Sequence, residues 1–317
     1  MGNWGKRQNI LLFLVALLFV GTLPAWGSSY YLSLVTSVFL YVILTVSWSA
    51  FSAPTGYMSL ASAAFFGVGV YAVAILGEKL PFIVVILIAG VLSAFLAFLV
   101  GLSCLRLKGV YFSIFTFGLS ELILYSVLFY EMEVSGTVGR LVVGMDEKSV
   151  YYTMLVVMLI LLIAVDSLGR SKYGLALQSI GQAEQAAACM GVNVNSVKVY
   201  TFAFSAFFMG LAGGMMVTQW TYVDSRTAFN MFYSFMPALM AIFGGLKKIR
   251  GQIVGAIVLT LLAESLLIKF PYLYMFLFGT LVLGAILFFP TGIIGILEPG
   301  KKWFERDGKS KHADSRS

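Results

Sequence analysis

The chain has 317 residues, 60% of them hydrophobic and 11% charged, with a formal net charge of +7 and a mean hydropathy of +0.94. Soluble domains carry about 45–50% apolar residues, so this composition excludes a soluble fold and predicts an all-α, polytopic membrane helix bundle. Ten spans of about 20 residues each would take roughly 200 positions, leaving loops and a tail but no sizeable soluble domain.

Apolar runs between charged or Gly/Pro-containing joints predict ten transmembrane helices, at residues 10–26, 31–51, 57–76, 81–105, 110–130, 151–165, 199–223, 232–246, 253–268 and 272–289. Several are shorter than about 20 residues and are read as tilted, partly re-entrant or packed inside the bundle. The eighth is interrupted by Pro237. With a cytoplasmic N-terminus, 16 of the 21 Lys and Arg fall on joints of one side, and only Lys79, Arg140, Lys148, Arg226 and Lys269 on the other. Cytoplasmic loops retain positive charge, so both termini are expected in the cytoplasm. The basic balance then belongs to a rim facing anionic lipid and calls for no nucleic acid. Lys6 and Arg7 before an apolar stretch ending near Pro24 and Ala25 also resemble a signal peptide, although retention of this first span is the expectation. Residues 1–297 read as a transmembrane domain, and 298–317 as a polar, Lys-rich cytoplasmic tail.

Two carboxylates fall inside spans, Glu121 and Glu264. An ionised carboxylate at the bilayer centre costs about 2.5–3.5 kcal/mol on insertion scales, so each is expected to face protein or water. They line a substrate path or proton site, or clamp helices as protonated or hydrogen-bonded groups. Without a nucleophile arrangement or metal ligands they are not a reaction centre, which sets aside a lipid-modifying membrane enzyme. The only histidine, His312, lies in the tail, and Cys104 and Cys189 are far apart. That gives no support to a His-based catalytic site or a His/Cys metal site. Gly210 with Gly214 and Ala206, and Gly251 with Gly255, form small-residue rows that predict close helix packing. The triplet Gly308, Lys309, Ser310 ends like a nucleotide-binding loop, but Trp303 stands where the first glycine is required. No nucleotide or other cofactor is expected on this chain.

The longest soluble joint is 166–198. Leu177, Ile180, Ala183, Ala187 and Met190 recur at helical spacing, while Gln178, Gln182, Glu184 and Gln185 lie off that row. Gly191 supplies a stop. The pattern predicts one short amphipathic helix over 177–190, and its small-residue face suits a protein groove better than a lipid surface.

In chain order, Gly56, Ser59, Leu60, Ala63, Phe66, Gly67, Gly69 and Tyr71 are followed by Leu105-Arg106-Leu107-Lys108-Gly109, Tyr111, Thr116 and Glu121. Then come Glu184, Ala187, Met190, Gly191, Val192 and Asn193, and later Leu211-Ala212-Gly213-Gly214, Gly244-Gly245, Gly251, Gly255-Ala256, Glu264, Pro290, Gly292 and Gly295. This run resembles the permease family of bacterial and archaeal ABC importers for branched-chain amino acids, in its M-type subunit, from the second predicted span to the tenth. Gly181 departs from the basic residue usual there, and Lys247 from a glycine. The resemblance implies a multi-pass subunit of the cytoplasmic (inner) membrane that carries no catalytic residue. Its partners would be an H-type sister permease, two cytoplasmic ABC ATPases holding ATP and Mg, and an extracytoplasmic substrate-binding protein. It implies alternating access, with 166–198 transmitting ATPase closure through Leu177, Ile180, Glu184, Ala187, Met190 and Gly191. The polar path or gate residues would be Ser59, Ser62, Thr116, Glu121 and Glu264. Urea, short amides or another amino acid are alternative substrates within the family, and a proton-coupled secondary carrier is the alternative outside it.

Overall fold

The computed structural model describes residues 21–24, 28–142, 144–246 and 248–288. Most of the first predicted span, the tail with His312, and the Pro290, Gly292 and Gly295 matches lie outside these residues. The chain runs through helices α1 (Ser29–Thr55), α2 (Ser62–Leu76), α3 (Phe82–Cys104) and α4 (Val110–Tyr130), and α4 ends in a π-helical turn, Glu131–Ser135. A short strand β1 (Arg140–Leu141) leads to α5 (Glu147–Arg170), α6 (Lys172–Gln182), α7 (Glu184–Cys189) and α8 (Val194–Met216). After a 3-10 turn come β2 (Tyr222–Val223), α9 (Ser225–Ala228), α10 (Phe232–Gly244), α11 (Ile249–Lys269) and α12 (Tyr274–Phe288).

Among the described residues seven helical stretches are long and apolar enough to cross a membrane, and two shorter apolar helices accompany them. Nine of the ten predicted segments coincide with helices. The sixth grows at both ends, from 151–165 to Glu147–Arg170, because its flanking charges still favour helix: Glu147 lies in the first turn and Arg170 in the last, each matching the helix dipole. The one sheet among the described residues is the antiparallel pair β1–β2, with Arg140 opposite Val223 and Leu141 opposite Tyr222. The helical reading contained no such ribbon, and two residues per strand leave no periodicity to read.

The centre of the bundle is α1, α2 and α8. α1 is 27 residues long, about 40 Å at about 1.5 Å per residue. Three of its hydroxyls bond back to its own carbonyls, Thr36 to Leu32, Ser49 to Thr45 and Thr55 to Phe51 at 2.7–2.8 Å, so these three need no water. α8 approaches α2 and α3 at backbone distance. A Cβ on Gly213 would strike the Phe66 carbonyl, and one on Gly69 the carbonyl of Gly210. The Gly251 and Gly255 row does the same for α11 against α10, where the added atoms would meet the Gly244 and Met240 carbonyls. Small residues therefore set the interhelical distances.

The joint 166–198 departs from the single helix expected over 177–190. It folds as α6 and α7, broken at Ala183, whose backbone is extended (φ −156°, ψ 97°). The Ser171 hydroxyl accepts a bond from the Gly174 N–H and starts α6, and Gly191, at φ +87°, ends the turn after α7 as the glycine stop predicts. The apolar row does not face outward into a partner's groove. Leu177, Ile180 and Ala187 are buried with Val197 in a small cluster of the chain's own. Ala183 and Met190 are the exceptions, both exposed, Met190 to 71%. Because the break at Ala183 resets the helical phase, Leu177, Ile180 and Ala187 share a buried face that Met190 does not.

Candidate functional site

The third predicted span, 57–76, is helical only from Ser62. α1 stops at Gly56, which takes the left-handed conformation (φ +74°), and residues 57–61 then run as non-helical backbone into the bundle. Irregular backbone inside a membrane bundle is tolerated only where protein or water satisfies its polar groups. Here side chains from three helices do so. The Trp48 indole N–H donates to the Ser59 carbonyl at 2.7 Å. The Leu60 N–H donates to the Thr116 hydroxyl at 3.0 Å, and the Leu60 carbonyl accepts from Ser120 and Ser234 at 3.2 and 2.7 Å. Ser234 also accepts the Ala63 N–H at 3.0 Å, and Ser113 donates to the Met58 carbonyl at 2.7 Å. Among the described residues this is the densest polar cradle within the bundle.

At the start of the broken stretch the segment is tied to the α6–α7 elbow. Lys198, 1% exposed, donates to Glu184 Oε1 at 3.0 Å, to the Leu105 carbonyl at 3.2 Å and to the Tyr57 hydroxyl at 3.3 Å. The Tyr57 hydroxyl donates to Glu184 Oε2 at 2.8 Å, and the Lys198 ammonium lies 4.5 Å from the Tyr57 ring centroid. Burial pushes the Glu184 carboxyl up, but the hydrogen bonds from Lys198 and Tyr57 and the charges of Lys198 and Lys108 outweigh it. The carboxyl is held below its ordinary range. The Glu184–Lys198 pair thus joins α7, α8, the α3–α4 turn and the entrance to the broken helix. Gly181 belongs to the same elbow: any Cβ there would strike the Pro54 carbonyl, which accounts for glycine where the family usually has a basic side chain.

The residues expected on a path are only partly brought together. Ser59, Ser62 and Thr116 are buried around the cradle. Thr116 is occupied by backbone, donating to the Ser113 carbonyl at 3.0 Å while accepting from Leu60, whereas the Ser62 hydroxyl has no partner among the described residues. Glu121, near the middle of α4 and off its Thr116–Ser120 side, is half-buried and not part of the cradle. Glu264 is half-buried on α11 and interacts electrostatically with Tyr274, away from the other four. Neither carboxylate has an ion pair among the described residues. Sequence reasoning missed Tyr57, Ser234 and the buried role of Lys198, which it counted as a rim charge. The signal for Lys198 was its place between Val197 and Val199 at the edge of an apolar run.

The family described as branched-chain amino acid transport system / permease component matches residues 30–287, and the chain belongs to that family. It is similar to the high-affinity branched-chain amino acid transport system permease protein LivM of Escherichia coli K12, 25% identical over 98% of this chain and 80% of that protein. The LivM protein of Salmonella typhimurium is 24% identical over the same shares. The autoinducer 2 import system permease protein LsrC of Yersinia pestis is 26% identical over 41% of this chain and 39% of that protein. No solved structure matches. Family membership and the seven long apolar helices make the chain an ABC permease of branched-chain amino acid transport and a multi-pass protein of the inner membrane.

Proposed function

We propose that this chain is one of two permease subunits of an ATP-driven importer that passes leucine, isoleucine or valine through the membrane by alternating access. The names of the LivM relatives support the substrate class. The observation that carries the mechanism is the carboxylate of Glu184, bonded both to Lys198 on α8 and to Tyr57 at the entrance of the broken helix. A force applied to the α6–α7 elbow is delivered through that group to residues 57–61. The elbow end carries Arg106, Lys108, Arg170, Lys172 and Arg250 and is assigned to the cytoplasm on the positive-inside rule.

In this reading two ABC ATPases, which hold the ATP and Mg, press on the elbow at exposed Met190 and around Gly191. Leu177, Ile180 and Ala187 seat it against the bundle. A sister H-type permease lies across the path, and an extracytoplasmic binding protein delivers the amino acid. Ser62, with its free hydroxyl, and Glu121 face the path, Ser59 and Thr116 hold the backbone beside it, and Glu264 serves it from α11. A zwitterion crossing the bilayer needs such polar company, because an unpaired charge in hydrocarbon is costly.

The test is gentle affinity purification of the tagged chain from its native membrane, with mass spectrometry of what accompanies it, followed by uptake in proteoliposomes. Recovery of a P-loop ATPase and a second permease, with leucine uptake that needs ATP and survives collapse of the proton gradient, is the expected result. Recovery of the chain alone, transport-active and dependent on the proton gradient, would establish a secondary carrier instead.

A further inference from the structure

At the elbow end of the bundle, the end of α3 and the start of α8 leave a hollow of about 170 Å³ on the outer surface. Arg106, Asn195 and Ser196 form its polar wall, and Phe98, Leu102 and Tyr200 its apolar one. Arg106, Asn195 and Tyr200 are exposed. The two ion pairs among the described residues are Arg170 with Asp166 and Lys198 with Glu184, so the Arg106 guanidinium has no counter-charge. No carboxylate lines the hollow. The Ser196 backbone N–H is taken by Asn193 Oδ1 at 3.2 Å, and its hydroxyl is left uncommitted.

An apolar track leads to this cationic end. Val91, Phe95, Leu99 and Leu102 are exposed on α3 at four-, four- and three-residue steps, which place them in one row along the helix. The Tyr200 ring stands 6.1 Å from that of Phe98 at the head of the row, and tyrosine rings settle at the headgroup level of a bilayer. The hollow is smaller than the about 300–1,000 Å³ of pockets that enclose a whole small molecule. It suits one polar end of a molecule whose apolar part lies outside. The elbow end is the basic, cytoplasmic one, where the leaflet carries anionic lipid, and the arginine fork matches a phosphate with two parallel hydrogen bonds.

We propose that this hollow seats the phosphate of an anionic phospholipid from the cytoplasmic leaflet. The Arg106 guanidinium holds the phosphate oxygens, the Asn195 amide and the Ser196 hydroxyl donate to them, and an acyl chain follows the row from Leu102 to Val91. The seat adjoins the elbow's attachment. Leu105 lines the hollow while its carbonyl accepts Lys198 at 3.2 Å, and Val199 lines it directly after Lys198. A bound lipid therefore braces, from the membrane side, the same α3–α4 turn and α8 start that the Glu184–Lys198 pair holds from the elbow side. This assignment is independent of which solute the chain carries.

The experiment titrates the full chain, purified in detergent with its co-isolating subunits, with phosphatidylglycerol or with phosphatidylcholine of the same acyl chains. Bound lipid is counted by native mass spectrometry and its effect read by thermal unfolding, since a ligand of the folded state raises the melting temperature. Wild type is expected to prefer phosphatidylglycerol about fivefold, the worth of one cation near anionic lipid. Arg106→Gln should weaken phosphatidylglycerol about 10-fold, as loss of a hydrogen bond to a charged group does, and erase both the preference and the lipid's gain in melting temperature. Arg106→Lys, which keeps the charge without the fork, should recover part of the loss. Arg250→Gln removes a charge from the same rim but not from the hollow, and should bind as wild type does. Equal binding of the two lipids by wild type overturns the site, and equal losses in Arg106→Gln and Arg250→Gln overturn it in favour of diffuse attraction to the rim. Inorganic phosphate separates the sources. It should protect wild type less than the lipid does, because the α3 row adds nothing to a free anion, and equal protection assigns the hollow to a soluble anion and overturns the lipid.

Discussion

α8 and α4 are similarly apolar helices of similar length, yet the stretch beginning at Val194 is 78% buried and the one beginning at Val110 only 28%. α8 is wedged among α1, α2 and α3 by glycines whose missing side chains let backbones touch. α4 gives one side, Thr116 and Ser120, to the broken segment and leaves the other open, with Tyr111, Ile114, Leu122 and Tyr125 more than 60% exposed. In water such exposure would mark a liability, but in a membrane it is compatible with lipid. The half-buried Glu121 amid that face is not, since a carboxylate there requires protein or water beside it. Packing is thus concentrated in the wedge, while α4 leaves one side of itself open.

The largest effect is expected at the elbow's attachment to the wedge. Glu184→Ala leaves the Lys198 ammonium, 1% exposed, without its counter-charge, and breaking a buried pair in this way costs about 3–5 kcal/mol. Thermal unfolding of the purified protein in detergent reads it directly, and transport should fall with stability. The same group gives a pH dependence. Its folded carboxyl is held below the ordinary value, so its contribution is present above the unfolded pKa, about 4.3, and is lost as pH falls through the lower folded value. Unfolding scans of wild type should show this acid loss below about pH 4, and Glu184→Gln should flatten it. An unchanged acid profile in the variant would place the stabilising carboxylate elsewhere.

Gly213→Ala probes the wedge itself. Its Cβ is aimed at a backbone carbonyl that has no rotamer to yield, and overpacking of this kind costs about 1–3 kcal/mol. If the melting temperature is unchanged, α8 is seated less tightly than α2 requires. At the cradle, Thr116→Val keeps the shape but leaves the Leu60 N–H without its acceptor, an unsatisfied buried donor worth about 1–3 kcal/mol. Thr116→Ser should restore most of the loss, and a valine variant as stable as wild type would mean that water or another hydroxyl serves residue 60.

The same contrast governs what the sequence made legible. Helix positions follow from long apolar runs, and nine predicted segments became helices because a lipid-facing or wedge-facing helix needs the same composition. Composition does not say which of the two a helix will be, so the burial of α8 and the openness of α4 were not readable. The break after Gly56 was hidden because Tyr57, Met58 and Leu60 continue an apolar run, although Pro54 and Gly56 mark a helix end. The split at Ala183 is announced by nothing stronger than Gly181 two residues before it, and it turned a predicted docking face into an internal one. Ser59 and Thr116 were found as polar residues in the right place, but only coordinates reveal that backbone groups already occupy them. Buried Glu131 sits one residue beyond a predicted span and so read as loop. Its burial depends on the π-helical turn, a register change that side-chain periodicity does not encode.

The smallest stability effect, and the sharpest use of the contrast, is at Gly118. A Cβ there meets nothing within 4 Å, and alanine removes only the helix penalty of glycine, about 0.8–1.0 kcal/mol, so Gly118→Ala should unfold no earlier than wild type. The informative variant is Gly118→Trp, equally harmless to the isolated chain but one helical turn from Glu121. If the open face of α4 abuts a second permease across the path, the indole removes that partner from the affinity-purified complex and abolishes ATP-driven uptake while the chain's own unfolding is unchanged. If the face meets only lipid, the complex and its uptake survive, and Glu121 must then take its water from within the chain rather than from a path shared between subunits.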